Sequence, residues 1–400
     1  MVSLQELCDF HNGLWTGKKP PFVTARVVRN TNFTSDGRID LSDVAVLDVE
    51  ERHLAKRELR QNDIIIEKSG GGPKQPVGRV VLFELEETGY SFSNFTSVIR
   101  VKPDALLDPV YLHRVLYWWY LCGVTESLQR RSTGIRNLDF NAYKSLEVPL
   151  PPLEEQQRIV AILDQAFAAL DRARDCTEAN LADVVEVRDA ILSSAIERAT
   201  AETAEPVALG VLCKIARGGS PRPIKKFLTT DEDGINWIKI SDATASGKFI
   251  DSTKERIIQE GVSKSRFVTP GSFLLTNSMS FGRPYILRTD GCIHDGWLVL
   301  EPDYDKVDQD YLYHLLGSKQ IFREFDRLAA GSTVRNLNIN LVSSVVVRLP
   351  PLEKQREAVE LIESGVEQCA KLAEHYRLQL EDIATLRQSL LQQAFSGQLT

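Results

Sequence analysis

The sequence predicts an α+β chain: two β-rich globular domains separated by two long helices that pair as an antiparallel coiled coil, with internal pseudo-two-fold symmetry. Three observations carry this expectation. First, Leu150-Pro151-Pro152-Leu153-Glu154 returns 199 residues later as Leu349-Pro350-Pro351-Leu352-Glu353, with Gln156 matching Gln355. The same offset matches Arg136-Asn137-Leu138 with Arg335-Asn336-Leu337, Arg188 with Arg387 and Ala195 with Ala394. One ungapped register over about 60 residues marks a tandem duplication. Second, each Pro-Pro motif opens a proline-free segment rich in Glu, Gln, Ala and Leu, which favour helix. Third, the residues before each motif hold short apolar runs broken by Gly, Pro and Asn, the pattern of short strands and turns.

In chain order, residues 1–149 form the first globular unit, 150–199 the first long helix, 200–206 a small polar connector, 207–349 the second unit and 350–397 the second helix. Within the units, Asp63–Glu67, Val77–Phe83 and Ser97–Val101 read as strands, as do Phe267–Val268, Pro270–Leu275 and Trp297–Leu300. Pro109–Cys122 and Gln309–Phe325 read as helices from apolar residues three and four apart. In the long helices, apolar positions alternate by threes and fours, which draws a single seam. Leu163, Leu170, Val184 and Ile191 mark it in the first helix, and Ile362, Leu372, Ile383 and Leu390 in the second. A helix of roughly 45 residues spans about 65–70 Å. Its seam needs a partner, and its own duplicate is at hand.

Composition is that of a folded protein, 43% hydrophobic and 26% charged, with no apolar run long enough for a membrane span. The N-terminal residues carry no export signal, and six scattered cysteines without a close pair suit a reducing, cytoplasmic setting. Net charge is −7, but it is unevenly spread. The segments 150–204 and 351–400 hold 10 basic and 19 acidic residues, whereas 1–149 holds 19 of each. The globular units are therefore close to neutral. A duplicated unit imitates a two-fold dimer, which makes duplex DNA an early candidate partner.

Catalytic patterns are missing from the sequence. It has no Asn/Asp-Pro-Pro-Tyr motif, and Gly70-Gly71-Gly72-Pro73-Lys74 lacks the Gly-Lys-Ser/Thr of a phosphate loop. The six histidines show no metal-ligand spacing, so neither a metal nor a cofactor is expected in this chain.

The repeated Leu-Pro-Pro-Leu-Glu-x-Gln motif, the Arg-Asn-Leu ahead of it and the helix end Leu386–Phe395 resemble the specificity subunit of type I restriction–modification systems. The resemblance covers essentially the whole chain. It implies that residues 1–149 and 207–349 are target recognition domains, each reading half of a bipartite asymmetric DNA sequence. It implies that the helices act as a spacer ruler and dock two methyltransferase (modification) subunits, which restriction (motor–nuclease) subunits join. S-adenosylmethionine then belongs to the methyltransferase, and ATP and Mg to the restriction subunit. The competing reading is a coiled-coil adaptor with two protein-binding lobes and no sequence-specific DNA readout.

Phosphates and base edges are met by Arg, Lys, Asn, Gln and Ser. Candidates in the first unit are Lys68, Ser69, Lys74, Gln75 and Arg79, around the glycine loop. In the second unit they are Asn277, Ser278, Ser280 and Arg283, with Arg217, Arg222, Lys225 and Lys226 on a second loop. Gly13, Trp15, Lys18 and Lys19 form a weaker case. Residues kept in both copies point instead to a shared structural or subunit-docking task at the junction of domain and helix. These are Arg136, Asn137, Pro151, Pro152 and Gln156, matched by Arg335, Asn336, Pro350, Pro351 and Gln355. Two domains reading different half-sites should differ at their base contacts.

Overall fold

The computed structural model describes residues 1–400 except 73–74, 133–134, 202–203, 279–280, 331–335, 397 and 399–400; for 130–132 and 135 it describes only the backbone. Lys74, Ser280, Arg335 and part of the expected connector therefore lie outside the described residues. The chain divides into two compact units, residues 1–178 with 378–400, and residues 179–377.

The frame of the first unit is a four-stranded antiparallel sheet. Strands β1 (Cys8–Asn12), β4 (Asp63–Glu67), β5 (Val80–Phe83) and β7 (Thr96–Val101) take the order β1-β7-β4-β5. Ile64, Ile65 and Ile66 are fully buried, as a β-branched run covered on both faces should be. Beside this sheet, β2 (Phe22–Val28) pairs antiparallel with β3 (Ala45–Glu50) and parallel with β6 (Tyr90–Phe92). Helix α1 (Pro109–Leu121) covers the sheet. Proline at its first position costs no hydrogen bond there, and the Asp108 carboxylate accepts from Val110 N (2.8 Å) and Tyr111 N (2.9 Å). Leu112, Val115 and Leu116 form its buried stripe.

The second unit repeats this frame with different side chains. Strands β8 (Cys213–Arg217), β10 (Phe273–Thr276), β11 (Pro284–Leu287) and β13 (Trp297–Pro302) take the order β8-β13-β10-β11, extended by Phe249–Ile250. Strand β9 (Ile235–Ile238) runs parallel to β12 (Gly291–Ile293), as β2 does to β6. Asp308 caps α3 (Gln309–Leu316) through Asp310 N and Tyr311 N, both at 3.0 Å. The single helix expected over 309–325 is two. The first ends at Gly317, and Ser318 Oγ accepts from Ile321 N (3.3 Å) to begin α4 (Lys319–Ala329).

Helices α2 (Leu153–Thr200) and α5 (Leu352–Phe395) pack antiparallel. In the first unit, Leu163 and Phe167 of α2 share a core with Leu391 and Ala394 of α5 and with Tyr111, Leu112 and Tyr143; Leu170 and Leu390 pack at its edge. In the second, Ala195, Ile196 and Ala199 of α2 meet Ala358, Val359 and Ile362 of α5 over Leu312 and Leu337. A Cβ on Gly365 would lie 2.8 Å from Ile191, so the backbones approach closely there. Val184 is buried and Ile383 half-buried. Leu372 departs from the expected seam: it is 43% exposed, and Ala373 takes the half-buried place. A helix of 3.6 residues per turn drifts away from a strict seven-residue repeat, and the seam moves with it.

The repeated motif explains itself at the foot of each helix. Gln156 is wholly buried: its Nε2 donates to Leu106 O (3.0 Å) and Pro151 O (2.8 Å), and its Oε1 accepts from Asp108 N (2.8 Å). Gln355 does the same, donating to Lys306 O (2.9 Å) and Pro350 O (2.7 Å) and accepting from Asp308 N (2.8 Å). The Pro151 and Pro350 carbonyls lie ahead of the first helical turn, outside the backbone ladder, and each glutamine ties its helix to the cap of α1 or α3. Charges add a second tie. In the first unit the Arg387 guanidinium bonds the Asp171 carboxylate and lies 4.4 Å from the Phe167 ring centroid. In the second, Lys248 Nζ bridges Asp310 (2.7 Å) and Glu363 (2.6 Å).

Removing a buried amide that serves three backbone groups leaves them unmet, at about 1–3 kcal/mol for each such group. Gln156→Ala and Gln355→Ala should each destabilise the unit that contains the change by at least that amount. Urea denaturation followed by circular dichroism checks this, and unchanged midpoints would contradict it.

Candidate nucleic-acid interface

In each unit, three loops meet at one edge of the sheet. In the first they are residues 13–19 after β1, 68–72 with 75–79 between β4 and β5, and 93–95 between β6 and β7. In the second they are 218–226, 277–278 with 281–283, and 294–296. Backbone contacts hold the loops together identically. A Cβ on Gly13 would fall 1.8 Å from Ser93 O, and one on Gly218 2.2 Å from His294 O, so only glycine lets these loops touch. Phe95 O accepts from Lys68 N (3.0 Å) and Ser69 N (3.2 Å), and Gly296 O accepts from Asn277 N (3.0 Å).

The Arg-Asn-Leu motif closes the same edge. Leu138 N donates to Lys68 O and Leu337 N to Asn277 O, both at 2.8 Å. Arg136 and Asn137 pair in register with Gly71 and Ser69, and Ser69 Oγ donates to Asn137 Oδ1 (2.5 Å). Arg136 Nη1 donates to Gln129 Oε1 (3.3 Å). Arg136 and Asn137, expected at the domain-helix junction or in subunit docking, make contacts with the glycine loop. They brace that loop, since their strand pairs with Ser69–Gly71.

The candidate DNA contacts sort by burial. Arg79 is committed inside the fold: its Nε meets the buried Glu67 at 2.8 Å, and its other nitrogens donate to Asn30 O (2.9 Å) and Phe33 O (3.2 Å). Asn277 is 1% exposed and donates to Asp295 O (3.0 Å). Lys68 is half-buried and donates to Asn12 Oδ1 (2.9 Å); burial draws its pKa below the usual lysine value, with Lys144 adding to the effect. Ser278 is half-buried, while Gln75, Arg217, Arg222, Lys225, Lys226 and Arg283 are exposed.

Asp295 organises the second unit's edge, and sequence reasoning missed it. Its carboxylate accepts from Ser220 Oγ (2.6 Å) and pairs with Arg222 Nη2 (3.2 Å), and its carbonyl accepts from Arg217 Nε (2.9 Å). The Ser220 hydroxyl, ahead of other causes, holds its pKa below the usual carboxylate value. The signal was the Asp295-Gly296 turn pair. Arg222 and Lys225 line an 830 Å³ cleft with Trp237, Lys239, His294 and Asp295. Burial lowers the pKa of His294 and favours the neutral ring. Among the described residues, no His, Cys, Asp or Glu group is arranged to hold a metal, and no helix is long and apolar enough to cross a membrane.

A duplicated sheet frame, paired long helices and a loop edge in each unit define a two-domain, helix-linked binding protein. The family model for the type I restriction modification DNA specificity domain matches residues 1–176 and again 201–382, and the chain belongs to that family, the specificity subunits of type I restriction–modification systems. It is 22% identical over 405 residues to the StySPI specificity subunit of Salmonella potsdam, across 95% of this chain and 82% of that one. It is 21% identical to the putative MjaX specificity subunit of Methanocaldococcus jannaschii, across 97% and 90%. Among solved structures, a chain from a work on complex assembly and conformational transition of the type I R-M system superposes with TM-score 0.78 at 21% identity, covering 100% of this chain and 97% of that one. The HsdS subunit from Thermoanaerobacter tengcongensis gives 0.61 at 21% identity, with 100% and 96% covered. These last two are likenesses of fold. As a family member the chain confers DNA-target specificity and scaffolding, and it is the non-catalytic subunit.

The burial pattern separates structural from surface arginines. Arg79→Ala strands Glu67 as a buried, unpaired charge and should cost about 3–5 kcal/mol of stability. Arg283→Ala should stay within about 0.5 kcal/mol of the parent. Paired denaturation curves test this, and equal effects would contradict the assignment.

Proposed function

We propose that residues 1–149 and 207–349 are two target recognition domains, each reading one block of a bipartite, asymmetric duplex. Residues 150–199 and 350–397 hold the spacing between the blocks and dock two modification subunits, which restriction subunits join. The observation that carries this reading is that the two units share frame, caps and pins while the side chains at the loop edge differ. Lys68 stands where the second unit has Asn277, and Asn94 where it has Asp295. Common parts serve the fold, and differing parts suit different sequences.

Arg217, Arg222, Lys225, Lys226 and Arg283, with Lys68, Lys74 and Gln75, are the side chains proposed to meet DNA. Arg79, Asn277 and Ser69 act by shaping the loops, Ser278 belongs to the loop that follows β10, and Ser280 is proposed as a DNA contact. Prolines 151, 152, 350 and 351, with the two buried glutamines, set each domain on its helix. S-adenosylmethionine is used by the modification subunits, and ATP with Mg by the restriction subunits. The protein works in the cytoplasm, a reading that its free cysteines support.

The test is to purify the chain with its modification subunits and sequence the DNA that the complex methylates. Methylated adenines should fall in two short specified blocks, centred within roughly two helical turns of each other. Methylation without a bipartite pattern would contradict the proposal. Binding of that duplex should also fall steeply with added salt, since contacts to phosphates release counterions.

A further inference from the structure

The 830 Å³ cleft of the second unit has a counterpart in the first that the 199-residue offset does not reveal, because the register between the loops shifts. The frame identifies it. In the first unit Val27 and Val28 pair in parallel with Ser91 and Phe92; in the second Trp237 and Ile238 pair with Cys292 and Ile293. A basic residue follows at once in each, Arg29 or Lys239. Its backbone N–H donates to a side-chain oxygen three residues on, Arg29 N to Asn32 Oδ1 and Lys239 N to Asp242 Oδ2, both at 2.9 Å. The opposite wall is the turn braced by Gly13 or Gly218, which matches Ser93 with His294 and Asn94 with Asp295. The first unit's cleft, of 380 Å³, lies between these walls and is lined by Leu14, Trp15, Arg29, Asn94 and Phe95.

The two clefts thus keep one basic position and differ around it. Arg29 has a side chain 42% exposed; its Nη2 donates to Asp43 O at 3.4 Å and lies 4.0 Å from the Asp43 carboxylate, and among the described residues its buried Nε has no partner, nor has Ser93 Oγ in the same cleft. Lys239 is 33% exposed and pairs with Glu255 at 2.5 Å. Exposed Lys18 and Lys19 follow Thr16 of the first cleft in the chain, and in the second unit exposed Lys225 lines the cleft with exposed Lys226 next to it. The first cleft offers the Asn94 amide in a lining shared with the exposed rings of Trp15 (67%) and Phe95 (43%). The second offers an 81%-exposed Arg222 guanidinium steered by Asp295.

Resting on the DNA-reading assignment above, we infer that these equivalent clefts are the base-reading sites. Arg29 and Lys239 hold the DNA backbone, Asn94 reads an A·T pair, and Arg222, positioned by Asp295, reads a guanine. The chemistry is specific. An amide bonds adenine through two atoms and an apolar ring meets the thymine methyl, whereas an arginine fork fits guanine O6 and N7. Occupancy by duplex DNA, rather than by a peptide, is favoured by the cations that line the clefts, Arg29 in the first and Arg222, Lys225 and Lys239 in the second.

The experiment compares methylated sites made by the parent chain and its variants, each assembled with the modification subunits. The parent should specify a G·C pair in one block and an A·T pair in the other. Arg222→Ala should lose roughly 5- to 150-fold discrimination at that G·C pair alone. Arg222→Lys keeps the charge without the fork, and should lose the same discrimination while holding affinity. Asp295→Asn should relax that same position, an effect confined to one base that a general weakening of the fold would not give. Asn94→Ala should relax the A·T pair of the other block. Arg29→Gln and Lys239→Gln should weaken all sites alike and flatten the salt dependence by about one ion. A parent with a bipartite site whose variants at 94, 222 and 295 keep every specified base overturns the clefts but leaves the function standing. A parent without a bipartite site overturns the function itself.

Discussion

A single buried side chain, repeated once, sets each recognition domain on its helix. Gln156 and Gln355 sit where chain direction changes from sheet edge to helix, and each satisfies two carbonyls and one amide that would otherwise be buried unmet. Asp108 and Asp308 take part twice, by capping a domain helix and by giving the glutamine its backbone N–H. A leucine or glutamate at these positions could not make the same set of bonds, which is why the Pro-Pro motif survives duplication while neighbouring residues change. Once the helix foot is fixed, the apolar faces of α2 and α5 complete each domain's core rather than merely packing on one another.

This arrangement divides the molecule by task. The sheet frame, the caps and the glycine contacts at Gly13 and Gly218 are common to both units. The edge they support is free to vary because its side chains do little for the core. Asp295 shows how the edge is organised without costing the frame: one carboxylate orients Ser220 and Arg222, and its carbonyl gathers Arg217 and Asn277. Arg79 shows the opposite case, a cation that looks like a DNA contact in sequence but holds Glu67 and two loop carbonyls.

What the sequence made legible was local or repeated. The helices could be read from composition and period, the pins from their recurrence, and β4 from its isoleucine run. The parallel pairing of β2 with β6 was not legible, because it joins residues more than 60 positions apart that carry no shared pattern. The same holds for Arg29, whose place in a cleft depends on that pairing, and for the ion pair between Lys248 and Glu363 of α5. Leu372 was misplaced for a different reason: an ideal heptad carried too far along a straight helix rotates off the seam. Burial, not residue type, separated Arg79 and Asn277 from Arg222 and Arg283, and burial is a property of the fold.

The central claim is that each unit is a self-contained reader on a common frame. The direct measurement is the methylated sequence produced by a chain in which residues 207–349 are replaced by a second copy of 1–149, assembled with the modification subunits. The account predicts a site built from two copies of the block that the first unit reads, with the other block gone. Retention of the second block in the methylated sites would contradict it.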